Sequence, residues 1–513
     1  MPSLQEKLAN SLKLLQDLQD NDGIAIFKST ELSRTHRERL QKNGFIKEVI
    51  KGWYISANPV EKKADSTSWF TAYWKFCEKY LNKRFGKNWC LSPEQSLSIQ
   101  TGNWTIPKQL IVRSPKANNN VTSLVFDTAI VDVKATLPPK KEIIEKNGVR
   151  IFSLAFALVS CTPNFFIKNP IDTRTALTTI SDDSEILSIL LDGGNSVVAA
   201  RIAGAFRNIG NYRIADNIIQ TMKAVGHNIR ETDPFSSKLQ FTITNRDISP
   251  YANRIIMMWQ QNRESVIRLF PKPPGIPENK TIYLQSLEDF YKTDAYHSLS
   301  IEGYKVSPEL IEKVMHGEWD PDGDQQDKTH IDAMAARGYF LAFESVKKSI
   351  EKVFAGQNPG KTADEDHGEW YRQMFSPSVT AGILKPSDLA GYRNSQVFIS
   401  QSAHFPMSPL GVRDAMPVLF EMLQNESEAS VRAVLGHFIF VYIHPYMDGN
   451  GRIARFLMNV MLASGGYPWT TIPLERREEY MNALERASVE HNIEDFVRFV
   501  AELVAGNMGK LDI

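Results

Sequence analysis

Pro271, Pro273, Pro274 and Pro277, with Gly275 among them, form the stretch PKPPGIP. Proline lacks an amide proton and fixes φ, so this stretch can be neither regular helix nor central strand. It divides the 513-residue chain into two parts of different pattern. We read residues 271–282 as a stiff Pro-rich linker. From Tyr283 onward one apolar helical pattern follows another, which predicts a separate α-helical domain over 283–508. The part before the linker mixes helical and strand-like stretches. The fold class expected is therefore multidomain and mainly α.

The first part opens with Leu4, Leu8, Leu12, Leu15 and Leu18 at helical spacing, broken at Asn21-Asp22-Gly23. Ile24 to Phe27 reads as a short strand, Lys28 to Leu32 and Arg34 to Lys42 as two short helices, and Phe45 to Ile55 as a hairpin. This order predicts a winged helix-turn-helix over residues 1–57. Seven Lys/Arg against three Asp/Glu lie between Lys28 and Lys51. Arg34, Arg37, Arg39 and Lys42 fall on the presumed second helix and Lys51 in the presumed wing, a pattern suited to DNA phosphates. The same pattern suits a solvated face of an interaction domain. Residues 58–270 read as a mixed α/β region. Trp104 to Val112 and Val121 to Val133 hold β-branched runs, and Ile186 to Leu191, Val197 to Phe206 and Ala215 to Val225 look helical.

Lys+Arg and Asp+Glu both total 59, so net charge names no partner. Cys77, Cys90 and Cys161 are far apart and form no CxxC pair, which argues against a zinc site or disulfide framework and for free thiols. The N-terminus has no apolar core of signal-peptide type, and no apolar run approaches the ~20 residues that span a bilayer. A cytoplasmic protein is expected. Asp320-Pro321-Asp322-Gly323-Asp324 resembles a calcium loop, but glycine is not sixth and the twelfth residue is Ile331, so a solvated loop is expected.

The chemistry concentrates between His444 and Arg455, in HPYMDGNGRIAR. Arg432 to Ile443 reads as a helix apolar nearly all round, and therefore buried. His444-Pro445 ends it, Asp448-Gly449-Asn450-Gly451 is a tight turn, and Arg452 to Ala463 resumes a helix. Backbone amides at the start of that second helix make an anion site. Arg452 and Arg455, three apart, share a helix face and can reach one polyphosphate. Asp448 suits a phosphate-bound Mg²⁺. His444 suits general-base work beside it. Gly449-x-Gly451-x-x-Ala454 also matches a dinucleotide fingerprint, but the strand that must precede it is missing.

This stretch resembles the signature of the Fic family, His-Pro-(Phe/Tyr)-x-(Asp/Glu)-Gly-Asn-Gly-Arg-x-x-Arg, at every defined position. The resemblance covers roughly Tyr283 to Val504. It implies a protein adenylyltransferase that uses ATP and Mg²⁺ to place AMP on a Ser, Thr or Tyr hydroxyl of a target protein. It implies His444 as base and Asp448 as the metal ligand. Gly449, Asn450, Gly451, Arg452 and Arg455 would bind the phosphates, and Tyr480 would lie near the adenine. The related Doc kinases carry Lys where this chain has Gly451, which favours AMP transfer.

Gly391 to Pro406 reads as a hairpin, and in the family such a flap, here with Val397, Phe398 and Ile399, docks the target as an added strand. Ser298-Leu299-Ser300-Ile301-Glu302-Gly303 resembles the family's inhibitory motif, with Ser298 and Glu302 one helical turn apart and Gly303 at the helix end. It implies that Glu302 pairs with Arg455 and blocks productive ATP binding. Phe27 to Ser56 resembles the winged helix of AbiEi-type antitoxin regulators, which implies DNA binding or autoregulation. Two other readings are a DNA-binding regulator with a regulatory Fic module and an AMP-removing enzyme. A homo-oligomer is compatible with the pattern.

Overall fold

The computed structural model describes residues 3–19, 23–61, 65–193, 195–236, 249–317 and 327–508. The calcium-like loop at 320–324, and Asn21 and Asp22 of the predicted break, lie outside them. The chain is multidomain and mainly helical. It divides into two compact units, Met1–Pro250 with Phe398–Phe405, and Tyr251–Val397 with Pro406–Ile513.

The first unit begins with α1 (Leu4–Gln16), whose end is fixed by a reciprocal cap: Glu6 N–H donates to Ser3 Oγ and Ser3 N–H to the Glu6 carboxylate. β1 (Ile26–Lys28), α2 (Arg34–Lys42), β2 (Ile46–Ile50) and β3 (Trp53–Ser56) follow, with the strands antiparallel in the order β1-β3-β2. Leu15, Phe27, Leu40 and Tyr54 close a small core between helices and sheet. The first of the two short helices expected here is absent. Lys28 ends β1, and a turn follows in which Glu31 accepts from the Lys28 amide at 2.6 Å. Local side-chain capping of a free amide competes with helix over so short a stretch.

Next come α3 (Thr67–Phe85), β4 (Cys90–Leu91), α4 (Pro93–Gln100), β5 (Gln109–Ser114), β6 (Val121–Ser123) and β7 (Ala129–Lys134). The sheet runs β4-β5-β7-β6, with β5 and β7 parallel and the outer pairs antiparallel. Trp69, Tyr73 and Phe76 of α3 are buried in the core that includes Leu110, Val112 and Ile130 of this sheet. A hairpin of β8 (Ile143–Lys146) and β9 (Val149–Phe152) leads into α5 (Leu154–Ser160), α6 (Pro163–Lys168), α7 (Pro170–Thr179), α8 (Ser184–Gly193), α9 (Ser196–Asn208) and α10 (Tyr212–Ala224), which share a second core. The three cysteines are free and buried.

Among the described residues the regular elements of the second unit are helices: α11 (Pro250–Leu269), α12 (Lys280–Ile301), α13 (Pro308–His316), α14 (Asp327–Phe354), α15 (Pro359–Thr380), α16 (Pro409–Asn425), α17 (Ala429–Ile443), α18 (Asn450–Ala463), α19 (Arg477–Val489) and α20 (Glu494–Met508). α11 belongs here although it precedes the prolines. The Pro-rich stretch is not a free spacer. Gly275 N–H donates to Gly465 O at 3.0 Å, and Tyr467 donates to Pro271 O at 2.6 Å. α14 and α15 pack backbone to backbone, since a Cβ on Gly338 would lie 1.8 Å from Met374 O. None of the described helices is long and apolar enough to cross a membrane.

The hairpin expected over 391–406 does not form, because Val397, Phe398 and Ile399 lie in an irregular loop. Phe398–Phe405 counts with the first unit, where Ile106 N–H donates to Ala403 O at 3.0 Å and the Trp104 and Phe405 rings lie 6.5 Å apart. Within the loop, Val397 O accepts from Gln396 Nε2, Ile399 O accepts from Ser402 N–H, and the Phe398 ring meets Phe405 edge-on at 5.3 Å, so local contacts replace a ladder.

Candidate active site

α17 is buried on nearly all sides because its sequence is apolar on nearly all sides. It stops at His444, which adopts a left-handed conformation at φ 55°, ψ 61°. A residue with a Cβ pays about 1 kcal/mol or more for that conformation, so surrounding contacts must enforce it. Arg393 supplies them. Its Nε donates to His444 O at 2.8 Å, its backbone N–H to Pro445 O at 2.9 Å, and its Nη1 to Ser395 O at 2.9 Å. Its Nη2 donates to Met407 O. Arg393 is buried and binds carbonyls, and burial lowers its pKa to about 10.

The half-buried His444 ring stands at the turn. Its Nδ1 lies 3.3 Å from Val441 O, so the Nδ1–H tautomer leaves Nε2 as a proton acceptor. Burial pushes its pKa down to about 4, so the ring is neutral near pH 7.

After the turn, Gly449 caps α18 at φ 82°, and a Cβ there would lie 2.8 Å from the Phe375 ring. The Asn450 side chain braces the turn, while its backbone amide opens α18. Oδ1 accepts from Tyr446 N–H at 2.8 Å and Nδ2 donates to Tyr446 O at 2.9 Å. Asp448 stays exposed, with one oxygen on Gly449 N–H at 2.7 Å and the other on Arg452 Nη2 at 2.9 Å.

Arg452 is 1% exposed, and its guanidinium lies over the rings of Tyr304 and Phe375 at 5.2 and 5.1 Å. Burial works against its charge, yet Asp448 and its neighbours hold its pKa above the ordinary value. Among the described residues its Nε has no hydrogen-bond partner.

Arg455 is engaged by α12. Its Nη2 donates to Glu302 Oε1 at 2.7 Å and to Ser298 O at 3.1 Å, and its Nε donates to Ser298 Oγ at 2.9 Å. Its side chain is 5% exposed and that of Glu302 30%. Burial opposes the arginine's charge, but the Glu302 carboxylate outweighs it and raises the pKa. Gly303 turns the chain out of α12 at φ 93°. α12 is itself fixed: Asp294 accepts from Tyr339 at 2.6 Å and Thr471 at 2.8 Å, and Arg477 donates to Ile301 O at 2.8 Å.

Tyr480, expected near the adenine, is buried close enough to Arg455 and Glu302 for both charges to act on its hydroxyl. Its hydroxyl lies 2.9 Å from His437 Nε2. The structure thus brings together His444, Asp448, Gly449, Asn450, Gly451, Arg452, Arg455, Tyr480, Ser298 and Glu302. It adds Arg393, Tyr304 and Phe375, for which spacing held no signal. The N-terminal arginines divide. Arg34 is exposed and pairs with Glu38 at 2.7 Å. Arg37 donates to Leu32 O at 2.7 Å, and Arg39 to Lys7 O at 2.9 Å and Ser11 Oγ at 2.8 Å. Lys42 and Lys51 are exposed.

Residues 365–462 match the Fic/DOC family. The chain carries a Fic/DOC-family domain. Protein adenylyltransferase Fic of Drosophila willistoni is 28% identical over 232 residues, covering 44% of this chain and 43% of that protein. Its counterpart in Drosophila mojavensis is 29% identical over 233 residues, covering 44% and 42%. The matched stretch thus spans less than half the length of those relatives. Fic-1 (residues 134–508) of C. elegans aligns with 67% of this chain and 97% of its own at 18% identity and a TM-score of 0.37. A Fic domain containing signaling protein of Bacteroides thetaiotaomicron covers 49% and 94% at 19% identity and 0.35.

Proposed function

We propose that the Fic domain is a protein adenylyltransferase, moving AMP from ATP to a Ser, Thr or Tyr hydroxyl of a target protein, and that Glu302 holds it inactive. The observation that carries the inhibitory part is the 2.7 Å pair between Glu302 and Arg455, the last arginine of the motif. In the active state the γ-phosphate replaces that carboxylate. Arg452 and the amides at the start of α18 bind the remaining phosphates.

No cluster of three or more metal-ligating side chains exists among the described residues. The donor set still fits Mg²⁺, which is held by one or two carboxylates plus substrate phosphates rather than an all-protein cage. Asp448, exposed beside the anion site, is that carboxylate. Mg²⁺ bound there supplies charge neutralisation on the phosphates.

His444 Nε2 takes the proton of the target hydroxyl. The hydroxyl oxygen bonds to the α-phosphorus, the bond to the bridging oxygen breaks, and pyrophosphate leaves toward Arg452 and Arg455. Parallel reactions with ATP labelled at the α- or γ-phosphate test the reading. Label on protein from the α-position alone, abolished by His444→Ala, supports it. Transfer of the γ-label makes the chain a kinase instead.

The N-terminal basic segment we read as a DNA-contacting surface, resting on exposed Arg34, Lys42 and Lys51.

A further inference from the structure

Arg201 on α9 is 9% exposed, and among the described residues no carboxylate acts on its charge. Its Nη2 donates to Cys161 O at 3.0 Å, its guanidinium lies over the Phe166 ring at 5.5 Å, and its Nε has no partner among the described residues. A buried charge with a single neutral acceptor is costly, and such groups are normally paired. Burial lowers the pKa of Arg201, in keeping with that isolation.

Arg201 lines a cavity of about 1110 Å³ in the first unit, large enough for a drug-sized molecule. One wall is α8, through Ser184, Ser188 and Ile189, and another is Phe156 and Val159 of α5. Arg113 also lines it. Of the acids on the wall, Glu142 is spent on Ser153 at 2.5 Å and Lys141 at 3.8 Å, while Glu185 and Asp192 face solvent from α8. Arg201 is thus the buried cation of the lining, and Phe156, Val159 and Ile189 supply apolar wall.

We propose that this cavity binds a small organic anion, a carboxylate or phosphate monoester on an aromatic or apolar body, with the anionic group on Arg201. The N-terminal unit then has a ligand site of its own, independent of the nucleotide site. Its chemistry follows from the geometry: a guanidinium offers paired N–H donors to two oxygens, and the Cys161 carbonyl takes up only one of the donors on Arg201.

Benzoate and phenyl phosphate, titrated calorimetrically into the full-length protein, test this and distinguish the two headgroups. Saturable binding of one of them is expected, weakened about tenfold or more by Arg201→Gln, because a charge-assisted hydrogen bond is lost. Ser188→Trp, on the exposed side of α8, should fill the cavity and block binding while leaving the fold intact, as read by circular dichroism. Arg455→Ala should leave binding unchanged. The proposal is overturned if neither probe binds folded wild type saturably, if binding survives Ser188→Trp, or if it is lost in Arg455→Ala.

Discussion

A Cβ on Gly451 would lie 2.5 Å from Glu302 Oε1 and 3.2 Å from Arg455 Nη1. The absence of a side chain at 451 is what lets the carboxylate reach the arginine. A double-mutant cycle measures this. Gly451→Ala should lower thermal stability in the wild type, and the loss should shrink in a Glu302→Gly background, since the two changes act on one contact. Equal losses in both backgrounds would mean that Gly451 serves only the turn.

Arg393 positions the catalytic turn through the His444 and Pro445 carbonyls. Arg393→Lys keeps the charge but loses the planar fork that reaches several carbonyls at once. In the Glu302→Gly protein it should cut kcat roughly 10- to 100-fold, because small misplacements of a reacting group are that costly. KM for ATP should change little, as Arg393 touches no expected phosphate ligand. A change confined to KM would contradict this role.

The neutral state of His444 sets the acid side of the pH profile. Its pKa is lowered by burial to about 4, so between that value and the ordinary ~6.5 the folded ring stays unprotonated and the base stays available. Activity is present above the folded pKa and lost as pH falls through it. The acid limb of kcat/KM for Glu302→Gly should therefore fall well below pH ~6.5. A limb centred at the ordinary histidine value would show a ring solvated as in water.

Arg37 and Arg39 bind their own unit, so Arg37→Ala and Arg39→Ala should each destabilise it by about 1 kcal/mol in urea titrations. If the surface binds DNA, Lys42→Ala with Lys51→Ala should flatten the slope of log K against log salt by about 2, without lowering stability. DNA binding whose slope is unchanged would place the contact elsewhere.

The motif from His444 to Arg455 was legible because turn, metal ligand and arginines lie within one helix–turn–helix of local sequence. Glu302 was legible through resemblance, since its partner is 153 residues away. Arg393 was not, because a buried arginine that binds only carbonyls leaves no charge partner to notice. The 391–406 loop misled for a related reason. A run of β-formers carries a local preference, and tertiary packing against Trp104 decided its conformation. The first short helix failed because a five-residue stretch has too few hydrogen bonds to offset helix nucleation.

The central claim is that Glu302 withholds Arg455 from ATP. Removing one partner of the pair leaves a buried guanidinium, so Glu302→Gly should lose about 2 kcal/mol of stability without nucleotide, reduced from the fully buried case because Glu302 reaches solvent. ATP with Mg²⁺ should then stabilise the variant more than wild type, by mass action. The direct measurement is AMP transfer from α-labelled ATP by wild type, Glu302→Gly and the Glu302→Gly/Arg455→Ala double variant, side by side. The account predicts a large gain in the single variant, including modification of the enzyme itself, and its cancellation in the double variant. Equal transfer by wild type and Glu302→Gly would contradict it.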